Sequence, residues 1–234
     1  MAQCQFKVQL SFDDEIDEMK KRMILTITLC LLLLVFIPHS SYARRLYYAE
    51  EFYLYVLNLY YTNPNLERNI RFMQWALEAP FDNPVRSLTK IQTEEDFKRY
   101  KLIFKLHVNL LIIDSYLQLG RRFDKEHVYF FNLWYAKQLK KSFTIARYYY
   151  ETSLNYWEEA VKYAEALKSM PGRIDIDQWE DELEQILSGE LNYRTIVEEN
   201  LAKLETKREK VEAYLEEKGE KETSDKENPS SYIE

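Results

Sequence analysis

The scarcity of glycine limits the folds open to this chain more than any other feature. The 234 residues contain four glycines, at positions 120, 172, 189 and 219. Tight turns and sharply bent strands depend on glycine, because it adopts backbone angles that other residues avoid. So few glycines favour an all-α protein. The apolar spacing agrees, since it marks one amphipathic helix after another.

Capping and stop residues set the expected helix boundaries. The predicted helical segments of the first part are 44–62, 65–80, 94–119, 125–141 and 144–170. Thr93 is expected to cap the third of these helices, and Gly120 to end it. A turn is expected within the last segment, at residues 153–155. The pattern predicts stacked helical hairpins or an irregular helical bundle, with a C-terminal helical extension.

Residues 19–43 have the layout of a secretory signal: a cationic head, the apolar run 23–37, and a small, polar exit with cleavage after Ala43. An uncleaved anchor is the alternative, although this run is shorter than the roughly 20 residues of a spanning helix. Residues 1–18 are then an extension ahead of a start at Met19, or the cytoplasmic tail of an anchored protein. We expect a periplasmic or exported protein, or one anchored in the inner membrane and facing the periplasm.

Charge and aromatic content divide the remaining chain near residue 172. Residues 44–172 carry 19 Lys/Arg against 15 Asp/Glu, with 27 aromatic residues, whereas 173–234 carries 9 against 19, with four aromatics. We predict an aromatic helical-repeat domain, acidic helices over 173–217 and a disordered tail over 218–234. Both cysteines precede residue 43, so packing must stabilise the domain without disulfides. The opposite charges of the two parts are suited to pairing within one chain.

The last helix carries a short apolar seam with steps of four and three residues. Its positions are Val197, Leu201, Leu204, Arg208, Val211 and Leu215. Such spacing is typical of a coiled-coil contact. Two interpretations stay open: packing against the protein's own domain, and contact with a partner helix or a second copy.

An internal repeat joins residues 67–80 to residues 158–171, which align without a gap at an offset of 91. A Tyr-rich helix precedes each segment, and a third helix pair, 112–139, lies between them. These segments resemble the tetratricopeptide class of helical hairpin repeats. Residues 115–120, SYLQLG, are similar to the first helix of that repeat with its closing glycine. Residues 158–171 are similar to its second helix, with small packing residues and a terminal proline.

The resemblance covers about residues 46–171 and implies a stack of hairpins with a groove that binds a peptide or another subunit. Two features depart from the family pattern. The unit is about 45 residues long, compared with 34 in the family, and Asn69 stands where the family has a small alanine. An irregular bundle remains the alternative.

The Tyr-rich, glycine-poor character of the chain is also similar to periplasmic proteins of spirochaetes, including those of the flagellar collar. This resemblance implies a non-enzymatic scaffold for protein–protein contacts in an envelope-associated assembly, with a periplasmic flagellar assembly as one setting. The alternative is a periplasmic protein that binds a small ligand or assists transport. An enclosed pocket would favour the alternative, and an open aromatic surface would favour the scaffold.

No reaction signature is present, so we expect no enzyme activity and no cofactor. His107 and His127 belong to no set with metal-ligand spacing, so no metal site is expected. Asp114 is a candidate buried carboxylate, but an outward position or a bond to a neighbouring helix is the commoner outcome for such a residue. Nucleic acid is not an expected partner of this acidic, exported chain.

The candidate partner-binding positions are tyrosines, paired arginines and members of the apolar seam. They are Tyr53, Tyr60, Arg121, Arg122, Tyr148, Tyr149, Leu201, Leu204 and Val211. A tyrosine ring can pack while its hydroxyl meets a polar partner. The arginines fit an acidic partner, the protein's own acidic part, or the end of a helix dipole. Self-association is a further expectation, and membrane contact is expected only through residues 19–43.

Overall fold

The structure is a computed structural model that describes residues 23, 25–26, 45–60, 65–125 and 133–227. From residue 46 onward it contains six α-helices: α1 Ala49–Tyr60, α2 Leu66–Glu78, α3 Glu94–Phe123, α4 Leu133–Lys168, α5 Asp177–Ser188 and α6 Tyr193–Glu227. A 3-10 turn, Pro84–Arg86, lies in the loop between α2 and α3. The described residues form no strand, which confirms the all-α prediction.

The start of α3 is confirmed and its predicted end is wrong. The Thr93 hydroxyl accepts the Asp96 N–H at 3.0 Å, and the Asp96 carboxylate accepts the Thr93 N–H at 2.9 Å. These reciprocal bonds form a capping box. Gly120 does not end the helix, which continues to Phe123. This glycine instead lies against the ring of Tyr150. Its role is close helix packing.

α4 is one continuous helix of 36 residues, so the turn predicted at residues 153–155 is wrong. Its buried residues form two interleaved series with a spacing of seven: Ala136, Phe143, Tyr150, Trp157 and Ala164, and Ala146, Ser153, Ala160 and Leu167. This heptad pattern runs through the predicted turn. The Ser153 hydroxyl donates to the Tyr150 carbonyl at 2.6 Å, which satisfies it inside the helix. Residues 126–132, where part of a helix was predicted, lie outside the described residues.

The hairpins α1–α2 and α3–α4 stack in the same direction. The joining contacts are Glu50–Tyr100 and Tyr53–Phe104 between α1 and α3, and Glu67–Tyr149 and Gln74–Tyr156 between α2 and α4. Residue numbers rise together within each set of contacts. α1 is therefore parallel to α3, and α2 is parallel to α4, as expected for stacked hairpins.

The internal repeat places equivalent residues on the same buried face. At the offset of 91, four buried residues of α2 correspond to four buried residues of α4: Leu66, Asn69, Met73 and Ala76 to Trp157, Ala160, Ala164 and Leu167. One pair is chemically mismatched, since Asn69 corresponds to Ala160. Neither the Nδ2 nor the Oδ1 of Asn69 has a hydrogen-bond partner among the described residues.

Asn69→Ala is expected to raise the free energy of unfolding by about 1 kcal/mol. An unpaired buried amide costs about 1–3 kcal/mol, and alanine is the better helix former, while the smaller side chain leaves a cavity that offsets part of the gain. Urea denaturation of the two proteins measures the difference. The exposed Asn155→Ala serves as the control and should change stability by a few tenths of a kcal/mol. A loss of stability in Asn69→Ala would contradict the assignment of an unpaired amide.

α6 lies antiparallel along α4. Three ion pairs connect the helices, Arg194–Glu158 at 3.2 Å, Glu205–Arg147 at 3.0 Å and Glu212–Lys140 at 2.7 Å. Val197, Leu204 and Val211 are buried between them. The seam therefore packs against the protein's own domain, the first of the two interpretations. α6 reaches Glu227, so the helix extends into the segment 218–234 for which disorder is predicted.

α3 is the central helix and is buried on nearly every side. Among the described residues it is the one helix long and apolar enough to cross a membrane, and 72% of its most apolar stretch is buried inside the protein. A helix that is apolar all round is typical of a protein core as well as of a membrane span. The burial assigns α3 to the core. The predicted signal, 19–43, lies largely outside the described residues.

Candidate functional site

Three of the predicted partner-binding residues lie in the core. Tyr53 is 5% exposed, and its hydroxyl lies 3.0 Å from Nε2 of His107. Leu204 and Val211 are buried in the contact between α6 and α4, and Leu201 is half-buried in the same seam. The structure corrects the placement of these residues on a surface. An amphipathic pattern identifies an apolar face, but not the element that covers it.

The paired tyrosines of α4 differ in exposure. Tyr148 is 61% exposed, and its ring lies 5.6 Å from that of Tyr149. Tyr149 is half-buried, donates its hydroxyl to Glu67 at 3.4 Å, and has its pKa raised by burial. Tyr148 therefore offers the larger surface to a partner. Tyr60 is the last residue of α1, but its side chain is outside the described part of the structure, as is all of Ala43.

Basic residues near the junction of α3 and α4 have two environments. Arg121 and Arg122 are exposed in the last turn of α3, where cations complement the helix dipole. Lys140 instead binds Glu212 of α6 at 2.7 Å. The Lys140–Glu212 ion pair, like Arg147–Glu205, confirms the prediction that the basic and acidic parts of the chain pair with each other.

Apolar side chains are exposed on the first hairpin, over a region that we call the α1–α2 aromatic face. Its members are Phe52, Tyr55, Phe72 and Trp75, which are exposed or half-buried. The ring centroids of Tyr55 and Phe72 are 4.6 Å apart, and those of Phe72 and Trp75 are 5.0 Å apart. These separations are typical of packed aromatic pairs. Trp75 is 42% exposed and Tyr55 37%, so an apolar surface remains in contact with solvent.

A terminal hairpin of a helical stack normally has a polar outer surface, which keeps the stack soluble. The α1–α2 aromatic face departs from that rule. Exposed apolar patches on soluble proteins commonly mark sites that bind another molecule, and tryptophan and tyrosine are enriched among residues that dominate binding energy. This face is therefore the main candidate functional surface.

A carboxylate of α5, an imidazole of α3 and a hydroxyl of α1 lie in series. Oε2 of Glu182 is 2.6 Å from Nδ1 of His107, whose Nε2 is 3.0 Å from the hydroxyl of Tyr53. The order of groups is that of a catalytic relay. However, Tyr53 is so deeply buried that a substrate has little access to its hydroxyl, and the same burial raises its pKa to about 12. Trp179 stacks on His107 at 4.9 Å, so the cluster holds α5 against α3 and α1.

A buried ion pair forms the second anchor of α5. Arg99 donates from Nε and Nη2 to the two oxygens of Glu180, at 3.2 and 2.6 Å, and from Nη1 to the Met170 carbonyl at 3.1 Å. Glu180 also accepts the Ile174 N–H at 2.7 Å. Both side chains are almost fully buried. Because their hydrogen bonds are satisfied by the protein, the pair contributes to packing and leaves little free for a ligand.

Asp114 shows both of the outcomes expected for it, an outward position and a bond to a neighbouring helix. It is exposed at the surface of α3, and it accepts the hydroxyl of Tyr193 at 2.6 Å. Burial raises the pKa of Tyr193, with the bond to Asp114 adding to the effect. The carboxylate therefore ties the start of α6 to α3.

Two cavities in the described structure are open to solvent. One, of about 720 Å³, lies beside the loop after α2, with Tyr48 and Phe81 in its wall. The other, of about 480 Å³, lies at the end of α5 near Arg173 and Leu187. Within the described ranges, no group of three or more His, Cys, Asp or Glu side chains could hold a metal ion.

Sequence reasoning missed Phe72 and Trp75 as surface residues. The buried positions of α2 are 66, 69, 70, 73 and 76, and the two aromatics fall between them. Large rings outside the buried series of an amphipathic helix were the available signal.

Comparison with known proteins identifies one family. No curated protein and no solved structure matches the chain. Residues 95–214 match a family described as a domain of unknown function, DUF8513. The match begins in the first turn of α3 and ends within α6, so α1–α2 precedes it. Because it spans just over half of the sequence, the chain belongs to the DUF8513 family.

Proposed function

We propose that the protein is an exported, non-enzymatic helical scaffold that binds protein partners in an envelope-associated assembly. The α1–α2 aromatic face is the observation that carries this proposal. Its exposed Tyr55 and Trp75 lie at the first hairpin of a stack whose sequence resembles tetratricopeptide-like scaffolds. A partner that covers these side chains removes apolar area from water, and so gains binding free energy in proportion to that area.

The signal layout of residues 19–43 supports export to the periplasm, or an inner-membrane anchor that leaves the domain on the periplasmic side. A periplasmic flagellar assembly is the setting that the spirochaetal resemblance favours. Small-ligand binding is the alternative function. It needs a pocket that encloses most of the ligand, and the two open cavities give it less support than the aromatic face gives the scaffold.

The double variant Tyr55→Ser/Trp75→Ser is expected to lose its partners while keeping its fold. A binding residue of this kind contributes about 2 kcal/mol, which corresponds to a loss of affinity of roughly 30-fold. The measurement is affinity purification of the tagged full-length protein from cross-linked native envelopes, with quantitative mass spectrometry. Asn155→Ser, on an exposed position of α4, is the matched control. Circular dichroism and thermal unfolding verify that both variants fold.

The same experiment reads the N-terminal peptide of the recovered protein. A chain that begins at Arg44 supports the cleaved signal, and one that retains residues 23–37 supports the anchor. Recovery of the wild-type protein alone, or equal recovery of partners with the double variant, would contradict the proposed scaffold.

A further inference from the structure

The outward side of the first half of α4 carries a row of five exposed residues, three of them apolar, which we call the α4 outer stripe. Its members, separated by steps of four and three, are Trp134, Gln138, Lys141, Ile145 and Tyr148. This spacing places them on one face of the helix, opposite the buried heptad series. Trp134 is 60% exposed although it packs on Tyr135, and Tyr148 is 61% exposed.

Positive charge accompanies this stripe. Residues 133–150 contain four Lys/Arg and no Asp or Glu, in a chain whose net charge is −7. The two cations nearest α6 are used within the protein, since Lys140 binds Glu212 and Arg147 binds Glu205. Lys137 and Lys141 are exposed, and neither has an ion pair with the described residues.

A stripe that combines apolar side chains with cations fits a partner with the opposite pattern. Residues 134 to 148 extend over about 21 Å, or four turns, at 1.5 Å per residue. When two helices pack, the side chains of one fit between the side chains of the other, and the contacting residues of each helix are spaced by three and four. Lipid is the less suitable occupant, because Gln138 and Lys141 interrupt the apolar row that would have to enter the acyl region of a bilayer.

We propose that the α4 outer stripe binds an acidic amphipathic helix of a partner protein. The apolar residues of that helix cover Trp134, Ile145 and Tyr148, and its Asp or Glu residues pair with Lys137 and Lys141. This inference goes beyond the proposed function, because it concerns a different helix and states the chemistry of the partner. The stripe also lies inside the family match, residues 95–214, whereas the α1–α2 aromatic face precedes it.

The test uses two fluorescently labelled, 18-residue helical peptides and the full-length protein. One peptide has leucines at spacings of three and four flanked by glutamates, and the other has lysines in place of the glutamates. Fluorescence anisotropy should show at least tenfold tighter binding of the acidic peptide. Its affinity should fall as salt is added, because salt screens exposed charges.

Two variants separate charge from apolar contact. Lys137→Glu/Lys141→Glu should reverse the preference, so that the lysine peptide binds more tightly than the acidic one. Ile145→Ser/Tyr148→Ser should weaken acidic-peptide binding at least tenfold. Tyr55→Ser/Trp75→Ser, on the α1–α2 aromatic face, should leave it unchanged. A wrong assignment of the α4 outer stripe is thus distinguished from a wrong assignment of the scaffold's aromatic face.

The proposal is overturned if neither peptide binds, if both bind equally, or if charge reversal leaves the preference unchanged. Vesicles with and without 30% phosphatidylglycerol provide the remaining comparison. Binding to the anionic vesicles, lost on charge reversal and without acidic-peptide binding, would assign the stripe to a membrane surface and would also overturn it. Circular dichroism of each variant verifies that α4 is intact.

Discussion

Glu180→Ala is expected to lower the free energy of unfolding by about 3–5 kcal/mol, because it leaves the Arg99 guanidinium buried without its counter-ion. Side-chain exposure is 7% for Arg99 and 5% for Glu180, so water cannot easily replace the lost bonds. The Ile174 N–H also loses its acceptor. Chemical denaturation followed by circular dichroism measures the loss, and the tryptophan fluorescence of Trp179 reports on the docking of α5.

The double variant Arg99→Met/Glu180→Leu is the matched comparison. Replacing both charges by apolar groups of similar size removes the unpaired cation, and such replacements of buried pairs are often neutral or stabilising. We therefore expect the double variant to be more stable than Glu180→Ala alone. Equal stability of Glu180→Ala and the wild-type protein would contradict the buried pair.

Gly120→Ala is expected to lower the free energy of unfolding by about 1–3 kcal/mol, the usual cost of overpacking a core. In an ordinary helix interior the same change stabilises by about 1 kcal/mol. The opposite sign is predicted here because a Cβ on Gly120 would overlap the ring of Tyr150, which is completely buried. The Tyr150 hydroxyl also donates to Asp124 at 3.2 Å, which limits movement of the ring.

A double-mutant cycle with Tyr150→Leu tests this explanation. The shorter side chain leaves room for the new methyl group, so Gly120→Ala should cost less in the Tyr150→Leu background than in the wild-type protein. The same cost in both backgrounds, or a stabilising effect of Gly120→Ala alone, would show that the glycine serves another purpose.

Local signals in the sequence predict a helix boundary well where neighbouring side chains cap the helix. The capping box of Thr93 and Asp96 is one example. Such local signals fail where contacts with other helices determine whether a helix continues. Ser153 belongs to a residue type that favours turns, but its position in the buried heptad series keeps α4 continuous. Gly120 belongs to a type that ends helices, but the approach of Tyr150 explains it better.

The candidate site was less predictable than the fold. The sequence identified aromatic and apolar faces, yet Tyr53 and Val211 are covered by other parts of the chain while Trp75 is not. Coverage depends on contacts between residues far apart in sequence. Arg99 and Glu180, for example, are separated by 81 positions, and their pairing fixes which face α5 covers.

Photo-cross-linking at Trp75 is the most direct test of the scaffold. A benzophenone amino acid replaces Trp75 in the full-length protein, and illumination of intact cells is followed by mass spectrometry of the cross-linked peptides. We expect one dominant cross-link, from residue 75 to the same protein that co-purifies stoichiometrically from envelopes. The same probe at the exposed Asn155 should not form it. No cross-link to another protein from residue 75, or equal yields from both positions, would contradict the proposed scaffold.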